Sequence, residues 1–431
     1  MNIIHLPPAS PSEGLRALQE VKDFATTDMG WGGPKRWTFR VLSDEQITPE
    51  IARLSHPHTH GPVDSVTFQP CQTFEARSQD RRVVQSWDLP GGRWTFSGIF
   101  DGHCSHETVD YVADCLPPIV RDALQQTLSR GPANYAKISE VLHNSIVHLD
   151  NSITSQFLKL FPAGPHGISQ LSDSQLRAII QEPNRNSPNY MKALRCMRGS
   201  TALITLTDPR GENLWVANLG DCLAVLVSRR RDGSWRGRCI NEVHNGGNDK
   251  ELRRIVNEHP GEKECVLDRR VIGYLAPTRA VGDTWMKLPG MFSRRIFKKM
   301  RSRHPLDLAD DFIDRIRTPP YISNIPDVYH RRLRRSHGEE YLDKALILCS
   351  DGLTDLYDGR IAEDVINRWA RVIGDGMTDH SRKRRGSSNL AMRLLRDAIG
   401  GDDLIKVSRN LTVEMDERWM DDTTILVQKF S

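Results

Sequence analysis

Four aspartates, far apart in the chain, each stand at the end of an apolar, strand-like run. They are Asp101 in WTFSGIFDGH, Asp221 in LWVANLGD, Asp351 in ALILCSDGL and Asp421 in WMDDTTILVQ. Strands that terminate together can deliver these side chains to one point. Clustered carboxylates repel each other, and such a group is stable only when cations neutralise it. The pattern therefore demands a sheet fold whose strand ends converge, and it points to a multi-metal hydrolytic centre.

The surrounding pattern supplies the sheets. VTFQP (66–70), RVVQSW (82–87) and TFSGIF (95–100) read as strands, and DLPGG between the last two predicts a hairpin. GSTALITLTD and LWVANLGDCLAVLVSRR predict three more strands, with Gly220-Asp221 at a hairpin tip. WTFRVL (37–42), ALILCSD and TTILVQKF complete the set. A helical period starts after FDGH with Val109, Val112, Ala113 and Leu116, and Pro117-Pro118 is expected to end it. Further helices are expected over about 134–160, over Lys250–Glu258 and from the SDGL loop to about 400. Residues 162–190 read as a loop or helical insertion. Strand clusters joined by hairpins, without strand–helix alternation, argue for an antiparallel α+β architecture.

Bulk properties exclude several classes. A net charge of +4 over 431 residues gives no bulk argument for nucleic acid. The 8 cysteines form no CxxC pair, so a zinc framework is not expected and reduced core thiols are. No apolar run is long enough for a membrane span, and the N-terminus shows no secretory pattern. HPHTH (56–60) reads as a solvated turn more than as a metal site. The basic runs at 229–231, 294–303, 331–335 and 382–385 read as solvated loops, with docking of an acidic partner or a nuclear address as the functional alternative.

FDGH has its own chemical logic. The Asp101 carboxylate can bridge two cations, Gly102 lets a backbone carbonyl approach a cation, and His103 can give a proton to a leaving oxygen. GSTA (199–202), ANLGD (217–221), LAPTRAVGD (275–283), SDGLTD (350–355) and DDTT (421–424) follow in order. In this ordered set the chain resembles the metal-dependent serine/threonine protein phosphatases, the PPM or type 2C family. SQDRR (78–82), TPPYISNIPDV and the DDTT ending resemble the pyruvate dehydrogenase phosphatase branch of it.

That resemblance implies a β-sandwich of two antiparallel sheets flanked by helices. It implies a phosphatase domain over 66–431 with a basic insertion around 285–340, preceded by a peripheral extension over 1–65. The implied reaction is hydrolysis of phosphoserine and phosphothreonine in phosphorylated proteins by a metal-activated water, with two or three Mn2+ or Mg2+ ions. Asp101, the Gly102 carbonyl, Asp351 and Asp421 match direct metal ligands. Asp80 matches an outer-sphere carboxylate, Asp221 one beside a third metal, and Asp355 a helper. His103 matches the general acid. A cytoplasmic monomer is expected, with the mitochondrial matrix or nucleus as alternative compartments.

The chain also departs from the family pattern. Gln79 stands where a Glu usually precedes Asp80, and Glu75 stands where a phosphate-binding Arg is expected, leaving Arg77 as the substitute. Cys104-Ser105 replace Gly-Gly, and Cys222-Leu223 replace Ser-Arg. These departures keep two alternatives open: a catalytically silent phosphoprotein-binding module, and a hydrolase of small phosphate esters. A nucleophilic Cys104 is disfavoured, because no cysteine-phosphatase loop surrounds it.

Overall fold

The architecture follows from how the strands divide their side chains. The computed structural model describes residues 10, 12, 23–71, 77–131, 134–182, 184, 186–302, 308–334, 340–359, 361–378 and 388–430. A five-stranded sheet runs, edge to edge, Asp327–Arg332, Asn213–Leu219, Ala202–Thr207, Gly92–Phe100 and Arg81–Leu89. A six-stranded sheet runs Trp235–Cys239, Leu223–Arg230, Tyr341–Cys349, Thr423–Lys429, Val63–Phe68 and His58–His60. Every pairing in both sheets is antiparallel.

Alternation along each strand builds two buried faces. In Leu223–Arg230, Ala224 and Leu226 meet Leu203, Leu214 and Val216 of the other sheet, while Leu223, Val225 and Val227 face a helical layer. In Asn213–Leu219, Leu214 and Val216 point into the sandwich, and Trp215, Ala217 and Leu219 face the opposite helices. A strand buried on both faces carries apolar side chains throughout, which explains the uninterrupted apolar runs.

Helices Glu107–Ser129, Tyr135–Leu158 and Pro188–Met197 cover the five-stranded sheet. Asp44–Ser55, Glu363–Thr378, Leu390–Ala398 and Leu404–Thr412 cover the six-stranded one. Ile47, Ile51 and Leu54 of the first of these are buried in that core, and the hairpin Phe24–Thr27/Trp37–Arg40 packs on the last. Within 285–340, Phe292, Phe297 and Ile313 enter the larger core, and Asp327–Arg332 is an edge strand.

Several sequence expectations are corrected. The helix after FDGH does not stop at Pro117-Pro118 but continues to Ser129. An interior proline costs about 3 kcal/mol. Burying Leu116, Val120 and Leu124 on one face returns about 1.5–3 kcal/mol each. Gly220-Asp221 is not a hairpin tip: the strands on either side lie in different sheets, so the chain crosses the sandwich there. HTH (58–60) is an exposed edge strand rather than a turn, with Pro57 placed ahead of it where no ladder donor is lost. Residues 164–170 and 173–179 are short helices, and Leu404–Thr412 extends the helical layer past 400.

Candidate metal centre

The strand ends meet as the spacing demands. Leu223 pairs with Cys349, and Cys349 pairs with Ile425, which sets the Asp221 turn, Asp351 and the DDTT segment side by side. Asp101 arrives from the other sheet, where its N–H donates to Thr201 Oγ1 at 2.9 Å and its carbonyl accepts from Thr201 N–H at 2.8 Å. The hydroxyl of GSTA thus fixes the FDGH backbone. Carboxylate oxygens of Asp101, Asp221 and Asp351 come within 4.8 Å of one another.

Asp421 lies outside that trio. Its side chain is 52% exposed, and Arg418 Nη2 stands 3.1 Å from its Oδ1. Asp422 is buried and takes Arg418 at 2.6 Å, Gln69 at 2.8 Å and the Gln79 N–H at 2.7 Å. Asp422 thus holds the Gln79 backbone, while the Gln79 side-chain carbonyl accepts from the Ser105 N–H at 3.3 Å. Asp80 is buried, accepts from Ser350 Oγ at 2.6 Å, and leaves Oδ1 without a hydrogen-bond partner. Asp355 follows Asp351 by one turn of the short helix Asp351–Asp355.

The electrostatics are those of a cluster short of positive charge. Burial raises the pKa of Asp101, and Asp351, Asp80 and Asp221 raise it further. Asp351 is raised by burial and then by Asp221 and Asp421. Burial also raises Asp221, and Asp355 with help from Asp421. Asp80 is pushed up to about 8 by burial and by Asp422. Hard oxygen donors, close convergence and an orphaned buried carboxylate oxygen all fit a divalent cation such as Mg2+ or Mn2+.

His103 belongs to a second device beside the trio. A small sheet pairs Gly102–His103 with Gly199–Ser200, and Gly199–Ser200 with Val281–Gly282. His103 and Gly282 thus flank Gly199, and the next residue, Asp283, reaches His103: Oδ2 lies 2.7 Å from Nε2. Asp283 is fully buried, with backbone φ of +45°. Burial lowers the His103 pKa, but the charge and hydrogen bond of Asp283 outweigh it and hold the imidazole above its ordinary value. Asp283 closes the LAPTRAVGD motif, yet no role was read for it. The signal was a Gly-Asp pair after a two-residue strand too short to show a period.

The remaining sequence candidates fall at the rim. Arg77 is 66% exposed and stands 3.5 Å from Asp110, which Arg81 holds more tightly at 2.6 Å. Glu75 lies outside the described residues. Cys104 is a poor nucleophile, because burial and Asp283 push its thiol up to about 11. Cys104 and Ser105 adopt φ of +64° and +134°, conformations that suit glycine. Cys104→Gly is therefore expected to leave phosphatase turnover within about twofold and to stabilise the fold by about 0.5–1 kcal/mol. Chemical denaturation of both proteins checks this, and a large loss of turnover would restore a role for the thiol.

Comparison with known proteins agrees with this geometry. The protein phosphatase 2C family model matches residues 65–399. A protein phosphatase 2C homolog of Schizosaccharomyces pombe is 28% identical over 376 residues, covering 83% of this chain and 77% of the relative. Human mitochondrial pyruvate dehydrogenase phosphatase 2 is 28% identical over 458 residues, covering 90% of this chain and 84% of the relative. The crystal structure of a serine-threonine phosphatase 2C from Toxoplasma gondii shares the fold, with a TM-score of 0.51 and 16% identity over 87% of this chain and 97% of that one. The chain belongs to the protein phosphatase 2C family and is a metal-dependent serine/threonine protein phosphatase.

Proposed function

We propose that this phosphatase holds two or three divalent cations among Asp101, the Gly102 carbonyl, Asp221, Asp351 and Asp421, with Asp80 and Asp355 orienting the waters around them. The observation that carries this reading is the approach of three strand-end carboxylates to within 4.8 Å. When bound, such cations supply a water of lowered pKa and offset the charge of the phosphate. The chain's own residues then do the rest. His103, held by Asp283, faces the departing serine or threonine oxygen and gives it a proton. Gly102 keeps the backbone close: a Cβ there would lie 2.6 Å from Val109 Cγ1 and 2.8 Å from the Gln79 carbonyl oxygen. Arg77, which stands 3.5 Å from Asp110 on the helix that follows FDGH, is the proposed phosphate contact.

Phosphorylated proteins are the substrates, and no helix among the described residues is long and apolar enough to cross a membrane. We propose a monomer in the cytoplasm, with the matrix and the nucleus as alternatives that imaging of a tagged chain decides. The test of the catalytic reading is direct. Hydrolysis of a phosphothreonine peptide is expected with Mn2+ or Mg2+ and is expected to vanish in excess EDTA; turnover that survives the chelator overturns it.

A further inference from the structure

The helix Tyr135–Leu158 packs Ile146, Leu149 and Ile153 into the core, and beside them it buries one carboxylate, Asp150. A carboxylate so placed must have its lone pairs filled. Its donors come from separate stretches of chain. Oδ1 accepts from the Gly282 N–H at 2.8 Å and from Lys287 Nζ at 2.8 Å, and Oδ2 accepts from Asn324 Nδ2 at 2.9 Å. Lys287 Nζ also donates to the Ala280 carbonyl at 2.8 Å. Asp150 and Lys287 together thus grip the chain on both sides of Asp283.

The conformation of Asp283 needs such a grip. Gly282 and Asp283 have φ of +83° and +45°, two left-handed residues in succession, and the second carries a side chain. This turn aims the Asp283 carboxylate at His103. The strand before it, Val281–Gly282, is two residues long and forms the edge of its small sheet. Asp283 Oδ1 is buried and has no hydrogen-bond partner among the described residues. A left-handed residue with a half-satisfied buried carboxylate persists only where its surroundings over-determine it.

We infer that Asp150 is a positioning residue for proton delivery: with Lys287 it clamps the turn at 280–283 so that Asp283 holds the His103 imidazole toward the departing oxygen. The inference rests on the reading of His103 as the proton donor. Asp150 stands outside the carboxylate trio and acts through Gly282 and Asp283.

A purely structural role has a different signature. Asp150 also ties Asn324 to the helix, and its removal strands Lys287, whose side chain is 8% exposed, as an uncompensated charge. Either effect lowers turnover of every substrate alike. A misaimed imidazole does not. An alkyl oxygen needs a proton as it leaves, whereas p-nitrophenolate leaves without one.

The experiment uses the full chain with Mn2+ and compares kcat for a phosphothreonine peptide with kcat for p-nitrophenyl phosphate. The ratio of the two does not depend on how much of a preparation is folded. Asp150→Ala is expected to lower kcat for the peptide about thirtyfold with KM unchanged, and turnover of p-nitrophenyl phosphate by less than about threefold. Where that variant folds poorly, Asp150→Ala/Lys287→Met removes the stranded cation and should give the same ratio. His103→Ala should shift the ratio further in the same direction, and adding Asp150→Ala to it should shift the ratio no more, because the two act in series. An unshifted ratio in both Asp150 variants, beside a shifted one in His103→Ala, overturns the inference. So does the same selective loss in Asn324→Ala, which leaves the bonds to Gly282 and Lys287 in place. An unshifted ratio in His103→Ala overturns the reading of His103, and the inference with it.

Discussion

Asp351→Asn is expected to cut phosphopeptide turnover by about a thousandfold or more while making the metal-free protein harder to unfold. A thousandfold is about 4 kcal/mol of transition-state stabilisation, the scale lost when a metal site no longer holds its cation. The stability gain has the opposite sign because the wild-type cluster works against the fold. Asp351 raises the pKa of Asp101, and Asp221 and Asp421 raise that of Asp351, so each charge removed relieves its neighbours.

The pH dependence follows from the same shifts. A carboxylate whose pKa is higher in the folded state keeps a proton there that the unfolded chain has already lost. Stability then falls as pH rises between the two values. For Asp80 that window runs from the ordinary value of 3.8 to about 8. Metal-free wild-type protein should therefore melt at lower temperature at pH 8 than at pH 5.5. Mn2+ should restore most of the loss, and Asp351→Asn should flatten the slope. Calorimetric melts with and without Mn2+ read all three. A metal-free Asp351→Asn protein that is less stable than wild type would contradict the argument.

Gly199→Ala is expected to lower turnover of phosphothreonine peptides by about a hundredfold or more. A Cβ at 199 would lie 1.9 Å from His103 Nε2 and 2.1 Å from Asp283 Oδ2. The imidazole and its carboxylate partner could not both stay. The loss should depend on the leaving group: large for alkyl phosphates, which need a proton on departure, and small for an activated aryl phosphate, which does not. Asp283→Asn should show the same selectivity in milder form, since it keeps the shape and loses the charge. Equal losses on both substrates would mean that the substitution merely damages the fold.

The aspartates of the trio could be read from the chain because each sits directly beside a long apolar run, and strand ends are easily seen in such runs. What joined those strands could not. Asn213–Leu219 and Leu223–Arg230 are apolar on both faces over most of their length. Nothing in their alternation tells a hairpin from a crossing between sheets. Asp283 escaped for the converse reason, since Val281–Gly282 is held only by its pairing with Gly199–Ser200, a contact remote in sequence. At Pro117-Pro118 a correct local rule lost to burial on the larger scale. The hold of Asp422 on the Gln79 backbone N–H, 343 residues away in sequence, needed three dimensions to be noticed at all.

The strand Thr423–Lys429 is flanked by Tyr341–Cys349 on one side and Val63–Phe68 on the other. This strand is thus an interior member of a sheet, and one of its neighbours was synthesised about 360 positions earlier. A nascent chain not yet extended to residue 423 lacks that plank, and its half-built sheet has an open gap between the strands that carry Val66 and Ile347. Chains cut short anywhere before Thr423–Lys429 should consequently be degraded rather than persist as shortened phosphatases, as pulse-chase of truncated chains would read.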